Sequence, residues 1–176
     1  MAYLNESKDF VSIATSDDRK AFLNKQPESK ELLKAGTKLY KWTQYSLVGP
    51  RGITPWWSVV DSLTLKTGST LPSLQKVHEW DSNLAVHERE YARARSAVTI
   101  DWNSMSKPLF IELIQPVWAW IGKASGQKMY EDDPKKVNET KENNVFFIGG
   151  NWQVWLPNLT IQHVRQIAAS PYLQAR

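Results

Sequence analysis

"VFFIGGNWQVWLPNL", Val145 to Leu159, places two tryptophans and a glutamine between a Gly-Gly pair and a Pro-Asn. An apolar, aromatic run bounded by such breakers reads as a β-strand. Alternate side chains of a strand point to opposite faces. Trp152 and Val154 then share one face, assigned to the core, and Asn151, Gln153 and Trp155 share the other, assigned to a ligand cleft with Gln153 at its rim. The opposite assignment stays open, because an apolar tryptophan ordinarily takes the inward face.

Working outward, the chain has 176 residues, enough for one domain that buries roughly two thirds of its unfolded surface. Its 41% hydrophobic and 23% charged residues are those of an ordinary globular protein. A net charge of +4 and a pI of about 9.2 permit an anionic partner, nucleic acid included, without demanding one. Cysteine is absent, which excludes disulfides, thiolate nucleophiles and cysteine-ligated zinc. His78, His87 and His163 are the only histidines, so no metal site is expected. The first eighteen residues lack a basic and apolar leader pattern, and no run of 18 apolar residues occurs. Synthesis in the cytoplasm without a membrane span is therefore expected, with any export left to a dedicated secretion system. Nine tryptophans stand out: large aromatics fill small cores, and they also line sites that stack planar ligands.

Residues 1–36 read as a helical lead-in, structural or regulatory in role. Ser16 is a plausible N-cap with Asp17 and Asp18 in the first turn, and Pro27 opens a second helix that ends at Gly36. Residues 37–176 read as a single α+β domain. In it, 37–45 alternates as a strand, a Gly/Pro-rich loop delivers Trp56 and Trp57, and a helix covers 72–93. "SAVTIDW", 96–102, reads as a strand. Residues 108–124 form one long strand or two broken at Pro116, 130–144 a polar loop, and 160–173 a closing helix capped by Thr160. The order disfavours alternating βαβ units, and no Walker A or GxGxxG motif is present.

No spacing identifies a catalytic triad. "HEREY" is not a zinc HExxH, since Tyr91 stands where the second histidine would be. Glu88, Arg89, Glu90 and Arg93 fit a solvated helix face paired at i,i+3 and i,i+4. Trp118 and Trp120 fit core positions, and Glu112 either faces solvent or lines a cleft.

Three segments in order, "KLYKW" at 38–42, the helix followed by "SAVTIDW", and "GGNWQVWLP" at 149–157, resemble the core of the bacterial ADP-ribosyltransferase toxin family. The resemblance spans roughly 37–160. It implies a split β-sandwich with N-terminal helices around NAD, and a toxin or effector that modifies a macromolecule, most naturally a protein, with a cognate immunity protein as a further partner. It also implies roles: Tyr40, Lys41 and Trp42 hold the cofactor, Trp56, Trp57 and Trp152 pack around it, and Ser96 orders the site. Gln153 lies beside the nicotinamide ribose. Each polar position departs from the family pattern. Lys41 stands for arginine and keeps the charge without the planar fork. Thr99 is off the usual spacing from Ser96. Gln153 stands for the catalytic glutamate and Asn151 for the upstream acid, so negative charge opposing an oxocarbenium-like transition state is missing and activity is expected to be reduced or absent.

Two other classes fit the residues. A Trp-rich protein-interaction module of immunity type requires an exposed aromatic patch and no deep polar cleft. A small basic ribonuclease requires His78, His87, Arg89 and Tyr91 to converge on one groove.

Overall fold

Antiparallel pairing dominates the computed structural model, which describes residues 2–83, 92, 93, 95, 96, 104–128 and 146–169. Seven strands make the main sheet: β1 Ser29–Leu33, β2 Lys38–Thr43, β3 Trp56–Val59, β6 Lys107–Leu113, β7 Val117–Lys123, β10 Trp152–Trp155 and β11 Val164–Ile167. Two small hairpins accompany it, β4 Leu63–Thr64 with β5 Thr70–Leu71, and β8 Gln127–Lys128 with β9 Phe146–Phe147. The described helices are short: α1 Phe10–Ile13, α2 Ser16–Ala21 and α3 Leu74–Asn83. The order across the main sheet is β1-β7-β10-β3-β2-β6-β11.

The four residues of β3 serve two partners in succession. Trp56 and Trp57 pair with Trp155 and Val154 of β10, whereas Ser58 and Val59 pair with Tyr40 and Leu39 of β2. The sheet therefore divides at β3 into a β1-β7-β10 half and a β2-β6-β11 half. Beyond the point of divergence, neighbouring strands have no ladder between them, and a gap can open.

Alternation sends one face of both halves into a single core that includes Leu39, Trp57, Ile111, Leu113, Ile121 and Val154. Each such side chain contributes about 1.5–3 kcal/mol on burial. The outer face is covered in two places. Phe10, Ala14 and Phe22 of the N-terminal segment cap Trp120 and Trp155, and Leu74 of α3 caps Tyr40 and Phe110.

The strand expected over 37–45 and the break at Pro116 are present, and the strand expected over 145–159 is divided into Phe146–Phe147 and Trp152–Trp155. Five expectations require correction. The segment opened by Pro27 is not a helix: Ser29–Leu33 pairs with β7 from Ser29↔Ile121 to Leu33↔Val117. Gly36, at φ 86, serves the β1–β2 turn rather than a helix end. The closing helix is likewise a strand, Val164–Ile167, paired with β6. Its two apolar residues stand three apart, which in a strand sends them to opposite faces: Val164 joins the main core and Ile167 packs beside Tyr40 and Phe110. Short apolar pairs at i,i+3 carry too little periodicity to outweigh an available sheet edge. Ser96 lies in a helical turn rather than at the start of a strand. Thr15, not Ser16, is the cap of α2, exchanging bonds with Asp18 in a capping box.

The expected loop at 130–144, the rest of the 96–102 strand, and His87, Arg89 and Tyr91 lie outside the described residues. No helix among the described residues is long and apolar enough to cross a membrane.

Candidate functional site

A cleft of about 760 Å³ opens where β3 changes partner. That volume is within the usual range for small-molecule sites. Its lining draws on β2 (Tyr40, Lys41, Trp42), β3 (Trp56, Trp57, Ser58), the helical turn at Ser96 and the strand edge at Asn151 and Gln153. Residues far apart in sequence meet here because the sheet order sets β10 beside β3, and β3 beside β2.

Gln153 is buried, 7% exposed, and its Nε2 donates to the Ala21 carbonyl oxygen at 2.8 Å. A carbonyl oxygen only accepts, so the amide orientation is determined: nitrogen toward Ala21, with the Oε1 acceptor left over. The α2 C-terminus thus positions the glutamine of β10. The same Ala21 oxygen also accepts from the backbone N–H of Ser125 at 2.8 Å. Asn151 Nδ2 donates to Ser96 Oγ at 3.2 Å, and the Asn151 N–H donates to the Arg95 carbonyl at 3.0 Å, which ties the helical turn to the strand edge.

Lys41 supplies charge. Its Nζ stands 3.8 Å from the centre of the Trp57 ring and donates to the Thr54 carbonyl at 3.1 Å and to Thr54 Oγ1. Burial pushes the ammonium down to about 7, because little water remains to solvate it. The Trp57 face opposes that shift by favouring the charged form. No carboxylate pairs with Lys41 among the described residues. No Asp, Glu or His of the described residues lines the cleft.

Eight of the residues singled out in the sequence line this one cleft: Tyr40, Lys41, Trp42, Trp56, Trp57, Ser96, Asn151 and Gln153. Tyr40 is only 6% exposed and stacks on Phe110 at 5.7 Å, so its ring is chiefly core. Trp152 is the exception. It shares its face with Val154, packs against the main core and carries Lys123 over its ring at 5.2 Å, away from the cleft. Trp155 does not face the cleft either; at 2% exposure it packs in the aromatic cluster, 5.3 Å from Phe10 and from Trp120. A large apolar ring on the outer face is better sealed by the N-terminal segment than left open to solvent. Glu112 is on the solvent side, paired with Arg165 at 2.9 Å.

Neither His78 nor His163 lines the cleft; the latter caps the Thr160 turn, accepting from the Thr160 N–H at 3.1 Å. The exposed large apolar side chains among the described residues include no tryptophan. The exposed aromatics among them are Tyr3 and Tyr45, and the cleft sets Lys41, Ser96, Asn151 and Gln153 in a mostly apolar lining.

Tyr45, Arg51, Thr54, Met105 and Gln127 also line the cleft, unforeseen in the sequence. The one available signal was "GPRG" at 49–52, a glycine-bounded turn carrying an arginine.

No protein-family model and no curated protein matches the chain. Two solved structures are similar to it. A structure of Tne2 in complex with Tni2 aligns over 84% of this chain and 93% of that one, at TM-score 0.45 and 13% identity. A structure of Tse6 in complex with Tsi6 aligns over 90% and 87%, at TM-score 0.38 and 11% identity.

Proposed function

We propose that the chain is an NAD-consuming domain of ADP-ribosyltransferase-like form, the active part of a toxin or effector, with NAD as the substrate of the β3 cleft. One observation carries the reading: Lys41, Ser96 and Gln153, from three separate elements, line a single cleft. The division of the sheet at β3 supports the finer reading of a split β-sandwich.

The lining fits the substrate. Lys41 is a buried cation without a carboxylate partner among the described residues, suited to the diphosphate. Trp42, Trp56 and Tyr45 offer ring surface to nicotinamide or adenine. Gln153 Oε1 accepts from a ribose hydroxyl while Ala21 holds the amide.

The bond broken joins the pyridinium nitrogen to ribose C1′. Nicotinamide departs as a neutral molecule and needs no proton, which suits a cleft whose described lining holds no Asp, Glu or His. The ADP-ribosyl carbon takes an oxygen or nitrogen of water or of a macromolecular acceptor, whose proton passes to solvent. A protein acceptor and a cognate immunity protein belong to the same reading.

The test is nicotinamide release from NAD by the purified chain, together with label transfer from adenylate-labelled NAD in lysate. Gln153→Ala is expected to lower release about 100-fold. Gln153→Glu is expected to be impaired too, because a carboxylate cannot donate to Ala21 and would face its oxygen. A wild-type chain that neither binds NAD nor releases nicotinamide overturns the proposal. Label on protein identifies transfer; release without label identifies hydrolysis.

A further inference from the structure

The cleft contains a second cation that the reading above leaves unused. Gly49 and Gly52 exchange both backbone hydrogen bonds, each 3.0 Å long, and enclose the two-residue turn Pro50-Arg51. The Pro50 ring limits its own φ, and Gly52 takes the left-handed φ of 80. The backbone beneath Arg51 is therefore tightly constrained. The Arg51 side chain is exposed and lines the same cleft as Lys41. No ion pair or hydrogen bond engages its guanidinium among the described residues.

Two cations thus share a concavity whose described lining includes no carboxylate. An anion entering the cleft therefore meets both cations with no competing carboxylate in the described lining. The two differ in kind. Lys41 is a buried point charge held by Thr54 and the Trp57 ring, whereas Arg51 offers a planar fork from a stiff rim turn, matched to two oxygens of one phosphate.

We propose that Arg51 is a phosphate-gripping residue, and that the cleft selects diphosphate esters over monophosphates by engaging Arg51 and Lys41 together. The inference deepens the NAD reading and rests on it only for which diphosphate is the natural one.

Calorimetric titration of the full chain with ADP and with AMP tests it. The wild-type chain is expected to bind ADP at least tenfold more tightly than AMP. In Arg51→Gln that ratio is expected to fall about tenfold or more, the value of one charge-assisted pair. Arg51→Lys should recover part of it, since the charge returns without the fork. Arg51 is exposed on its turn, so the melting temperature of each variant should match the wild type and separate a binding loss from a folding one. A ratio unchanged in Arg51→Gln, or a wild-type chain that binds neither nucleotide, overturns the proposal. Arg51-dependent ADP binding without nicotinamide release from NAD would refute the NAD reading and leave the diphosphate site standing. Nicotinamide release with a KM indifferent to Arg51→Gln would do the reverse.

Discussion

A lysine ammonium taken out of water loses hydration that a tryptophan face and one threonine restore only in part. Lys41 is in that position, with its amine at about 7 against an ordinary value of about 10.4. The sign of the pH effect follows. Between those values the unfolded chain holds the proton and the folded chain does not, so stability rises with pH across that window. Below about pH 7 both states are protonated and the slope vanishes. Urea unfolding should show Lys41→Met more stable than wild type at pH 6.5, with the gap closing by pH 10. A gap that does not change with pH would mean the ammonium is not desolvated. A bound diphosphate should draw the proton back onto Lys41, because a neighbouring anion favours the charged form.

At the scale of elements, the link between β9 and β10 decides whether Gln153 reaches the cleft. Gly149 takes φ 68, and a Cβ there would lie 2.7 Å from the Ala124 oxygen and from the Ser125 carbonyl carbon and oxygen. No side chain relaxes a clash with backbone on that scale, so Gly149→Ala should cost on the order of 3 kcal/mol or more. Gly36 provides the contrast. It has a similar φ of 86 but open space around its Cβ position, so Gly36→Ala should cost only about 1 kcal/mol. Denaturant midpoints of the two variants measure the difference; equal losses would show that conformation, not crowding, governs both. The same backbone passage carries the hydrogen bonds Gly150 N–H to Ala124 O and Ala124 N–H to Asn151 O, both 2.8 Å. It therefore sets the register of Asn151 and Gln153 against β7.

For the whole molecule, the question is whether the N-terminal segment folds with the sheet or beside it. Asn5 Nδ2 donates to the carbonyls of Trp118 at 3.1 Å and Pro157 at 3.0 Å, and Phe22 is fully buried against Phe10 and Trp56. Gly122 has no room for a Cβ because the Phe22 ring would stand 2.9 Å away. Phe22→Ala should therefore cost about 3–5 kcal/mol and shift one cooperative transition seen alike by tryptophan fluorescence and far-UV circular dichroism. Two separated transitions would show that the segment melts independently. Because Ala21 adjoins Phe22 and holds Gln153, the segment does more than support: its packing places the amide of the cleft.

Read as a sequence, the chain determined those elements whose signal is local. Alternation over 37–45 and 152–155, the break at Pro116, and the acids of α2 depend on near neighbours, and each is legible without the rest of the fold. That Trp152 and Val154 share a face followed from the period of two; that this face is the core did not. Local signal ran out where a partner strand decides the outcome. "SKELL" and "VRQI" are ambiguous in isolation and become strands because β7 and β6 offer open edges. Ala21 joins the cleft only through tertiary structure, since a backbone carbonyl carries no motif, and "GPRG" marks the turn of Arg51 without showing what it faces. The fate of Trp152 and Trp155 was tertiary as well: both belong to packed aromatic and apolar surfaces, and which surface a tryptophan meets depends on what the fold lays over it.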